Sequence, residues 1–394
     1  MHIKPEWEQM LEHTKQLRIK STNAPRPPFK FHWEEIGPGY AYGPAFGHWD
    51  IVHACMDTMH YMYDHALAQM RNLINLQAPD GMLPGTIWMA EGRDRNIPYE
   101  LSHPPVWPFA VDDMHALSGD SGIIEEFYDP LLLQINWFEN NRKAEGEGFY
   151  YYDIFVNRWE SGVDESIRFK ETKTGAFACV DASSHVYGLY THAVKWGALL
   201  GRDVSGLKQK ADALGRFIRD GLFDSETGFF FDIWAVGGEK KMTFDGMWPV
   251  VVGAATHGQA MRVIDENLLN PDRFFSPHPI ATVGVYDPEY EPRMWRGPAW
   301  NSMTYWAARG CAAYGRSDAV ARLLERALDQ SSRVFRETGV IWEYYDAMGG
   351  SPTSLARKPA LQHNTPFNEY LGHNPFYAMA VLFCVHKKIQ SVIT

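Results

Sequence analysis

The stretch SSHVYGLYTHAVKWGALLGRDVSGLKQKADALGRFIRDGL, residues 183–222, contains two helical patterns joined by a very short link. In its first half, apolar residues recur at spacings of three and four from Val186 to Leu200, after a Ser-Ser start and before Gly201. This spacing predicts an amphipathic helix, and the second half predicts another helix after the link GRDVS. A link this short makes the two helices antiparallel neighbours.

The same arrangement recurs along the chain. Helices predicted near 105–118 and 123–141 are joined by GDSG, and helices predicted near 300–314 and 318–335 are joined by YGRSD, whose Ser-Asp resembles an N-cap. The connections between these pairs are long, and long connections with little structure of their own are usually functional. They lie at 78–104, 142–182, 222–250, 274–298 and 337–374.

Alternating short and long links are typical of a ring of antiparallel helix pairs, because all short links then lie at one end and all long links at the other, here called the rim. About eleven or twelve helices suit six pairs. We therefore expect an all-α fold, an (α/α)6 barrel or six-hairpin toroid, with short β segments in the long rim loops. Strand-like runs occur at 148–156, 228–236 and 281–286.

Two further expectations concern the organisation of the chain. A solenoid of stacked helix pairs is the structural alternative, but solenoids show a repeat period and none is visible here. No shift in composition marks a domain boundary. Residues 1–394 are therefore expected to form one catalytic domain, with residues 1–45 as an N-terminal helix and loop extension.

Composition narrows the class of partner. The formal charge of −11 disfavours a nucleic-acid partner, whose phosphates require the opposite sign. The four cysteines are scattered, no apolar run approaches the length of a membrane span, and the N-terminus lacks the pattern of a signal peptide. We expect a cytoplasmic protein without membrane contact. Aromatic residues make up 14% of the chain, and their flat faces suit stacking against sugar rings.

Acidic residues in two rim links are candidates for chemistry. The stretch RWESGVDESIRF, residues 158–169, places Glu160, Asp164 and Glu165 within six residues, and IWEYYD contains Glu343. Two acids brought together from different loops are what glycoside hydrolysis requires. The alternatives are a solvated surface or an N-cap for Asp164 and Glu165, and a structural ion pair for Glu343.

Other motifs give weaker signals. Trp295 and Arg296 are compatible with a packing stack of an indole against an arginine stem. The histidine spacings do not match a helical metal pair, and no P-loop, dinucleotide fingerprint or G-x-S-x-G motif is present. We expect neither a metal nor a cofactor.

Five segments, in order, resemble glycoside hydrolase family 63, whose motifs are shared in looser form by the family 37 trehalases. The family includes a bacterial branch acting on glucosylglycerate and mannosylglycerate. The segments are FGHWDIVHACMD with LQAPDGMLPG, PYELSHPPVWPFAV, RWESGVDESIRF, YEPRMWRGPAWNSMTYWAARG and IWEYYDAMGG.

The resemblance implies an (α/α)6 barrel and an inverting glycosidase that removes a terminal α-linked glucose or mannose from a small glycoside. It places Asp164 at the general-acid position and Glu343 at the general-base position, with the carboxyls about 6.5–9.5 Å apart. We expect Glu160 to hold substrate hydroxyls while the acidic stretch keeps Asp164 protonated. The residues at substrate-binding positions are Trp49, Asp50, His103, Trp107, Trp159, Glu160, Trp295 and Arg296.

Three alternatives remain open at this level. The chain departs from the family pattern after Glu343, which leaves Glu369 as a competing base. A sugar epimerase or isomerase on a similar barrel would use a pair of histidines from His257, His363 and His373. A non-catalytic carbohydrate-binding protein is the third alternative. In each case the expected partner is a small carbohydrate, and the sequence leaves a homo-oligomer open.

Overall fold

The computed structural model describes residues 3–90, 97–144, 146–156, 159–169, 174–236, 239–359 and 361–393. Arg158, at the start of the acidic stretch, lies outside these ranges. Helices dominate the described structure, which confirms the prediction of a mostly helical chain. They are α1 (Pro5–Lys20), α2 (His48–Thr58), α3 (Tyr63–Ile74), α4 (Trp107–Ser118), α5 (Ser121–Asn141), α6 (Asp153–Val156), α7 (Val180–Leu199), α8 (Ser205–Phe217), α9 (Trp248–Val251), α10 (His257–Arg262), α11 (Asn301–Ala313), α12 (Ser317–Thr338) and α13 (Phe376–Ile393).

The strands are short and form two-stranded antiparallel pairs, β1 with β2, β3 with β4, β5 with β8 and β6 with β7. Each strand lies in a connection between helices or beside one, as expected for β segments in loops. The strands are β1 (Thr22–Asn23), β2 (Trp33–Glu34), β3 (Ala45–Gly47), β4 (Thr86–Trp88), β5 (Thr174–Ala178), β6 (Phe223–Asp224), β7 (Phe229–Phe230) and β8 (Ile233–Val236).

Six helices contact one another in a closed cyclic order: α2, α4, α7, α9, α11, α13 and back to α2. The other long helices pack outside this ring. Helix α3 contacts α2 and α4, α5 contacts α4 and α7, α8 contacts α7, and α12 contacts α11 and α13. The N-terminal helix α1 packs on α12 and α13. Each short link thus joins a helix of the ring to an outer neighbour.

The sequence signals that predicted where helices begin and end are partly correct. Gly201 follows α7 with a φ of 68°, the left-handed conformation that glycine adopts without penalty. The Ser-Ser start is wrong, because α7 begins at Val180 and both serines are buried inside it. The Ser-Asp signal is also wrong as a cap, because α12 starts at Ser317 and Arg316 is its N-cap without a side-chain hydrogen bond.

The strand-like run 148–156 is not a strand. Phe149 forms only an isolated bridge with Lys143, and the chain then turns into the short helix α6. The carboxylate of Asp153, the first residue of this helix, accepts a hydrogen bond from the Ser161 N–H at 2.5 Å. The run 228–236 contains β7 and β8, whereas 281–286 contains only isolated bridges. In the run 148–156 the aromatic side chains divide between core and surface: Phe149 and Tyr151 are buried, whereas Tyr152 and Phe155 are exposed.

One large hydrophobic core includes residues from Trp7 in α1 to Cys384 in α13. All four cysteines are buried and lie outside any disulfide. Among the described helices, none combines the length and apolar character required to cross a membrane.

Candidate active site

A cavity of about 280 Å³ opens where four of the five long links converge. The link 222–250 contributes no residue to its wall, whereas the Gly- and Pro-rich segment 37–47 contributes two tyrosines. The wall is therefore built mainly from loops that the helices bring to one end. Its residues are Ile36, Tyr40, Tyr42, Trp49, Asp50, Thr86, Trp88, His103, Trp159, Gly162, Asp164, Met294, Trp295, Trp300, Glu343, Arg357, Lys358, Leu361, Tyr370 and His373.

Glu343 is buried in the wall and is firmly held. Arg357 donates from Nε to both carboxylate oxygens, at 3.2 and 3.0 Å, and the Phe367 N–H donates to Oε2 at 3.2 Å. The backbone of Glu343 is fixed as well, because its N–H donates to the Phe367 carbonyl at 2.8 Å. This carboxylate has a single defined orientation, as a group that activates a water molecule requires.

Asp164 faces the same cavity from the opposite loop but is held differently. Its side chain is 20% exposed, and its Oδ2 accepts a hydrogen bond from the Lys358 ammonium at 2.5 Å. Both partners are long-range neighbours on loops, and both are partly open to solvent. Both carboxylates line the cavity, and that of Asp164 is the more exposed of the two.

The other two acids of the stretch, Glu160 and Glu165, do not line the cavity. Glu160 is fully buried outside the cavity wall, and Arg142 binds both its oxygens at 2.8 and 2.7 Å. Backbone N–H groups also donate to Glu160, so it has no capacity left for substrate hydroxyls. Glu165 pairs with Arg293. The expectation for Glu160 is thus corrected, since the three neighbouring carboxylates turn towards three different cations.

Backbone conformation separates these acids. Gly162 has a φ of 74°, and a Cβ at this position would lie 2.3 Å from the Trp49 ring, so only glycine fits. Glu165 adopts a φ of 59°, which is uncommon for a residue with a side chain. The chain therefore turns twice around Asp164, and these turns direct Asp164 into the cavity while its neighbours face away.

Asp50 lies deeper in the cavity and is buried. Burial raises the pKa of Asp50 to about 6, and the Glu343 and Asp164 carboxylates raise it as well, against hydrogen bonds from Tyr370 and from the backbone of Asp50. The Tyr370 hydroxyl donates to Oδ1 at 2.8 Å, and His373 Nε2 lies 3.7 Å from the same oxygen. This acid is placed to accept hydrogen bonds from a bound hydroxyl.

A stack of indoles forms one wall of the cavity. The Trp295 and Trp300 rings are 3.8 Å apart and nearly parallel, and Trp49 stacks on Trp295 at 5.7 Å. The buried Trp49 Nε1 has no hydrogen-bond partner within the described part of the chain. Such a donor at a cavity wall is available to a ligand oxygen.

A second group of rings lies on the opposite side. Trp159 meets both Trp88 and His103 edge-to-face, at 5.9 and 5.5 Å. Burial lowers the pKa of His103 to about 4, so its imidazole is neutral at pH 7. A Cβ on Gly85 would lie within 3 Å of both Trp159 and His103, so a glycine is required behind them.

Two of the predicted substrate-binding residues lie elsewhere. Trp107 is fully buried at the start of α4, where its Nε1 donates to the Gln134 side chain at 2.6 Å. Arg296 is turned away from the cavity, donating to the Glu165 carbonyl and to the Glu291 carboxylate, each at 2.7 Å. Arg296 therefore links the acidic loop to Glu291, and Trp107 belongs to the core.

The structure also distinguishes the alternative catalytic residues, which are Glu369 as a base and the histidines of an isomerase. Glu369 is bound by His13 at 2.9 Å and is absent from the cavity wall. Of the three histidines considered for an isomerase, only His373 lines the cavity. Burial lowers the pKa of His373 well below its usual value, and its Nδ1 contacts the Ser302 hydroxyl at 2.6 Å.

Sequence reasoning missed several residues of the wall: Tyr40, Tyr42, Arg357, Lys358 and Tyr370. The two tyrosines stand in GPGYAYGPAFG, where repeated Gly and Pro beside aromatic residues were a usable signal. Arg357 and Lys358 form an ordinary-looking basic pair in a long loop. Only the fold reveals that each of them meets a different acid.

Comparison with known proteins assigns this chain to a family. A family model described as the mannosylglycerate hydrolase MGH1-like glycoside hydrolase domain matches residues 44–367, so the chain belongs to this family of glycoside hydrolases. A mannosylglycerate hydrolase from Rubrobacter radiotolerans is 21% identical over 81% of this chain and 90% of its own length. A mannosylglycerate hydrolase from Thermus thermophilus is 32% identical, over 33% of this chain and 31% of its own.

Solved structures show the same fold. A family 63 mannosylglycerate hydrolase from a second strain of Thermus thermophilus, in complex with Tris and D-glycerate, superposes with a TM-score of 0.74 at 18% identity, over 95% of this chain and all of the other. Neutral trehalase from Saccharomyces cerevisiae superposes with a TM-score of 0.64 at 14% identity, over 88% of this chain and 73% of the trehalase.

Proposed function

We propose that the protein is an inverting α-glycosidase that removes a terminal mannose or glucose from a small glycoside, with Asp164 as general acid and Glu343 as general base. One observation carries the proposal: the carboxylates of Asp164 and Glu343, from widely separated loops, line one cavity that is rich in aromatic rings. The names of the two curated relatives support mannosylglycerate as the first substrate to test.

The architecture supports the same reaction. The cyclic order of contacts from α2 to α13 is the arrangement expected for a six-hairpin toroid, which we propose as the fold of a single domain over residues 1–394. A toroid of this kind gathers the long links at one end. The proposed acid and base can then approach one bond from loops far apart in sequence.

The proposed steps follow from how each acid is held. The fixed Glu343 carboxylate removes a proton from a water molecule, which attacks the anomeric carbon. Asp164 gives its proton to the glycosidic oxygen as the bond to the aglycone breaks. The attack and departure occur on opposite faces, so the anomeric configuration inverts. In this proposal the Trp49 N–H and the Asp50 carboxylate, both at the cavity wall, hold hydroxyls of the terminal sugar.

Proton NMR of the sugar released first from α-mannosylglycerate and α-glucosylglycerate tests this proposal. We expect the β-anomer to appear before mutarotation mixes the two forms. Initial release of the α-anomer would contradict the inverting mechanism. Conversion of a free sugar without uptake of water would instead identify an isomerase.

The identity of the base is tested by a matched pair of substitutions. Glu343→Gln is expected to lower kcat by about 10²–10⁴-fold, the usual contribution of a general base. Glu369→Gln, at an acid outside the cavity, is expected to retain the wild-type kcat. The reverse order of effects would reassign the base to Glu369.

A further inference from the structure

In the structure, the carboxylate of Asp164, the proposed general acid, is paired with a cation. A carboxyl group that must protonate a leaving oxygen needs that oxygen beside it, yet Oδ2 of Asp164 is 2.5 Å from the Lys358 ammonium. As long as this ion pair persists, the cation occupies Oδ2, one of the two oxygens that could carry the proton. An event in the reaction that draws Lys358 away from Asp164 would free this oxygen.

Lys358 is the cation of the cavity wall that is able to move. The other, Arg357, binds both oxygens of Glu343 and also donates to the Tyr42 hydroxyl at 3.2 Å. The backbone at Arg357 is anchored by two hydrogen bonds to Asn364. Lys358 extends from this fixed point on a flexible four-carbon stem, and its side chain is 20% exposed. Its ammonium can shift within the cavity while the loop stays in place.

Arg357 is already paired with Glu343, and the described part of the wall offers no third positive charge to an anionic ligand. The lining histidines are His103 and His373, and burial lowers the pKa of both. Three carboxylates, Asp50, Asp164 and Glu343, line the same cavity. A ligand carboxylate entering this site would be repelled unless it reached the Lys358 ammonium.

We infer that Lys358 is a substrate-operated switch, which holds Asp164 in the empty cavity and releases it when the carboxylate of an acidic aglycone takes the ammonium. This inference rests on the proposed function and makes the charge of the aglycone the trigger that frees Asp164. Once released, Asp164 takes a proton from solvent and delivers it to the glycosidic oxygen, while the proton lost by water goes to Glu343. Neutral glycosides leave the ion pair intact and are poor substrates.

Two substrates that differ only in charge test the switch: α-mannosylglycerate and its carboxamide. For the wild type we expect kcat/KM to favour the acid by about 10²-fold, since a close charge pair between the ligand carboxylate and the ammonium, which the carboxamide cannot form, contributes about this much in a filled cavity. Lys358→Met should change the two substrates in opposite directions. The acid loses about 10²-fold, and the carboxamide gains severalfold because Asp164 is no longer held. Lys358→Arg should restore most of the preference for the acid.

Lys241→Met is the matched control, because Lys241 also makes a 2.5 Å ion pair, with Glu289, at a site outside the cavity wall. It should keep the wild-type ratio of the two substrates. Calorimetry with D-glycerate gives a readout independent of turnover, and we expect at least about tenfold weaker binding to Lys358→Met than to the wild type.

Equal losses on both substrates in Lys358→Met would overturn the switch and make Lys358 a structural residue. A wild type that cleaves both substrates equally well would also overturn it, while leaving the proposed hydrolase intact. A wild type that cleaves neither, and no other α-glycoside, would refute the proposed function and the switch with it.

Discussion

Three carboxylates line the cavity, and three others surround Arg168 only four residues after Asp164. Around Arg168 the site is closed: Asp181 and Asp232 each receive two hydrogen bonds at 2.8–2.9 Å, and Asp245 lies 2.9 Å from the guanidinium. All of these groups are buried or nearly so. In the cavity the acids face open space.

The same residue types therefore serve two purposes. The Arg168 cluster connects the end of the acidic loop to α7, through Asp181, and to the link 222–250, through Asp232 and Asp245. That link lines no part of the cavity but holds the loop that does. Cys179, Asp181 and Asp232 have ligand atoms within 4.8 Å of one another, yet the guanidinium already satisfies these carboxylates. Open space, and not the number of acids, distinguishes the candidate active site.

The largest effect should come from the carboxylates that line the cavity. Asp164→Asn removes the proposed proton donor and is expected to lower kcat by about 10²–10⁴-fold. The melting temperature should change little, because a partly exposed ion pair contributes at most about 1 kcal/mol. Initial rates by NMR and a thermal melt check both statements. Full activity in a folded variant would remove Asp164 from the mechanism.

The Arg168 cluster should respond in the opposite way, with a large loss of stability and a smaller loss of activity. Arg168→Met leaves buried carboxylates without their cation and is expected to lower the free energy of unfolding by about 3–5 kcal/mol. Urea denaturation measures this loss. Activity per folded molecule should fall less than in Asp164→Asn. An unchanged unfolding free energy would show that the cluster does not support the loop.

Two buried tryptophans extend the comparison between cavity and core, because Trp49 lines the cavity and Trp107 does not. Trp49→Phe removes an N–H that has no partner in the described chain, and we expect KM to rise about tenfold through loss of a hydrogen bond to substrate. Trp107→Phe removes an N–H bound to Gln134, and should instead lower stability by about 1–2 kcal/mol with KM unchanged. Steady-state kinetics and denaturation of both variants provide the test, and identical behaviour would contradict it.

The last effect develops only as the pH rises and concerns Asp153, whose carboxyl group contacts the acidic loop at Ser161. Burial raises the pKa of Asp153 to about 8; hydrogen bonds from Ser161 oppose this rise, and the Glu160 and Asp164 carboxylates add to it. The folded state therefore holds a proton that the unfolded chain, with an ordinary aspartate pKa of about 3.9, releases. Stability is expected to fall by about 1.4 kcal/mol per pH unit as the pH rises between these two pKa values, and to level off above pH 8.

Asp153→Asn carries no titrating group and should lack this dependence, so its advantage over the wild type grows from pH 5 to pH 8. Melting temperatures of both proteins across this range measure the difference. Parallel curves would show that Asp153 is ionised in the folded state.

Much of the secondary structure was predictable because helix periodicity and short links are local properties. The positions of α4, α5, α7, α8, α11 and α12 follow from the spacing of apolar residues, with errors of a few residues at their ends. The run 148–156 misled because aromatic residues favour strands only where a partner strand is available, and here the chain turns at Asp153 instead.

The sequence by itself determined the helical class, the long links and the presence of Asp164 and Glu343, because periodicity, loop length and ordered motifs are written along the chain. Only the tertiary structure decided which acids face the cavity. Glu160 and Asp164 are four residues apart, yet Glu160 forms an ion pair with Arg142 and Asp164 forms one with Lys358. Those cations come from distant parts of the chain, and the turn at Gly162 that separates the two acids depends on contact with Trp49. Orientation of a loop acid is a long-range property, which no local pattern contains.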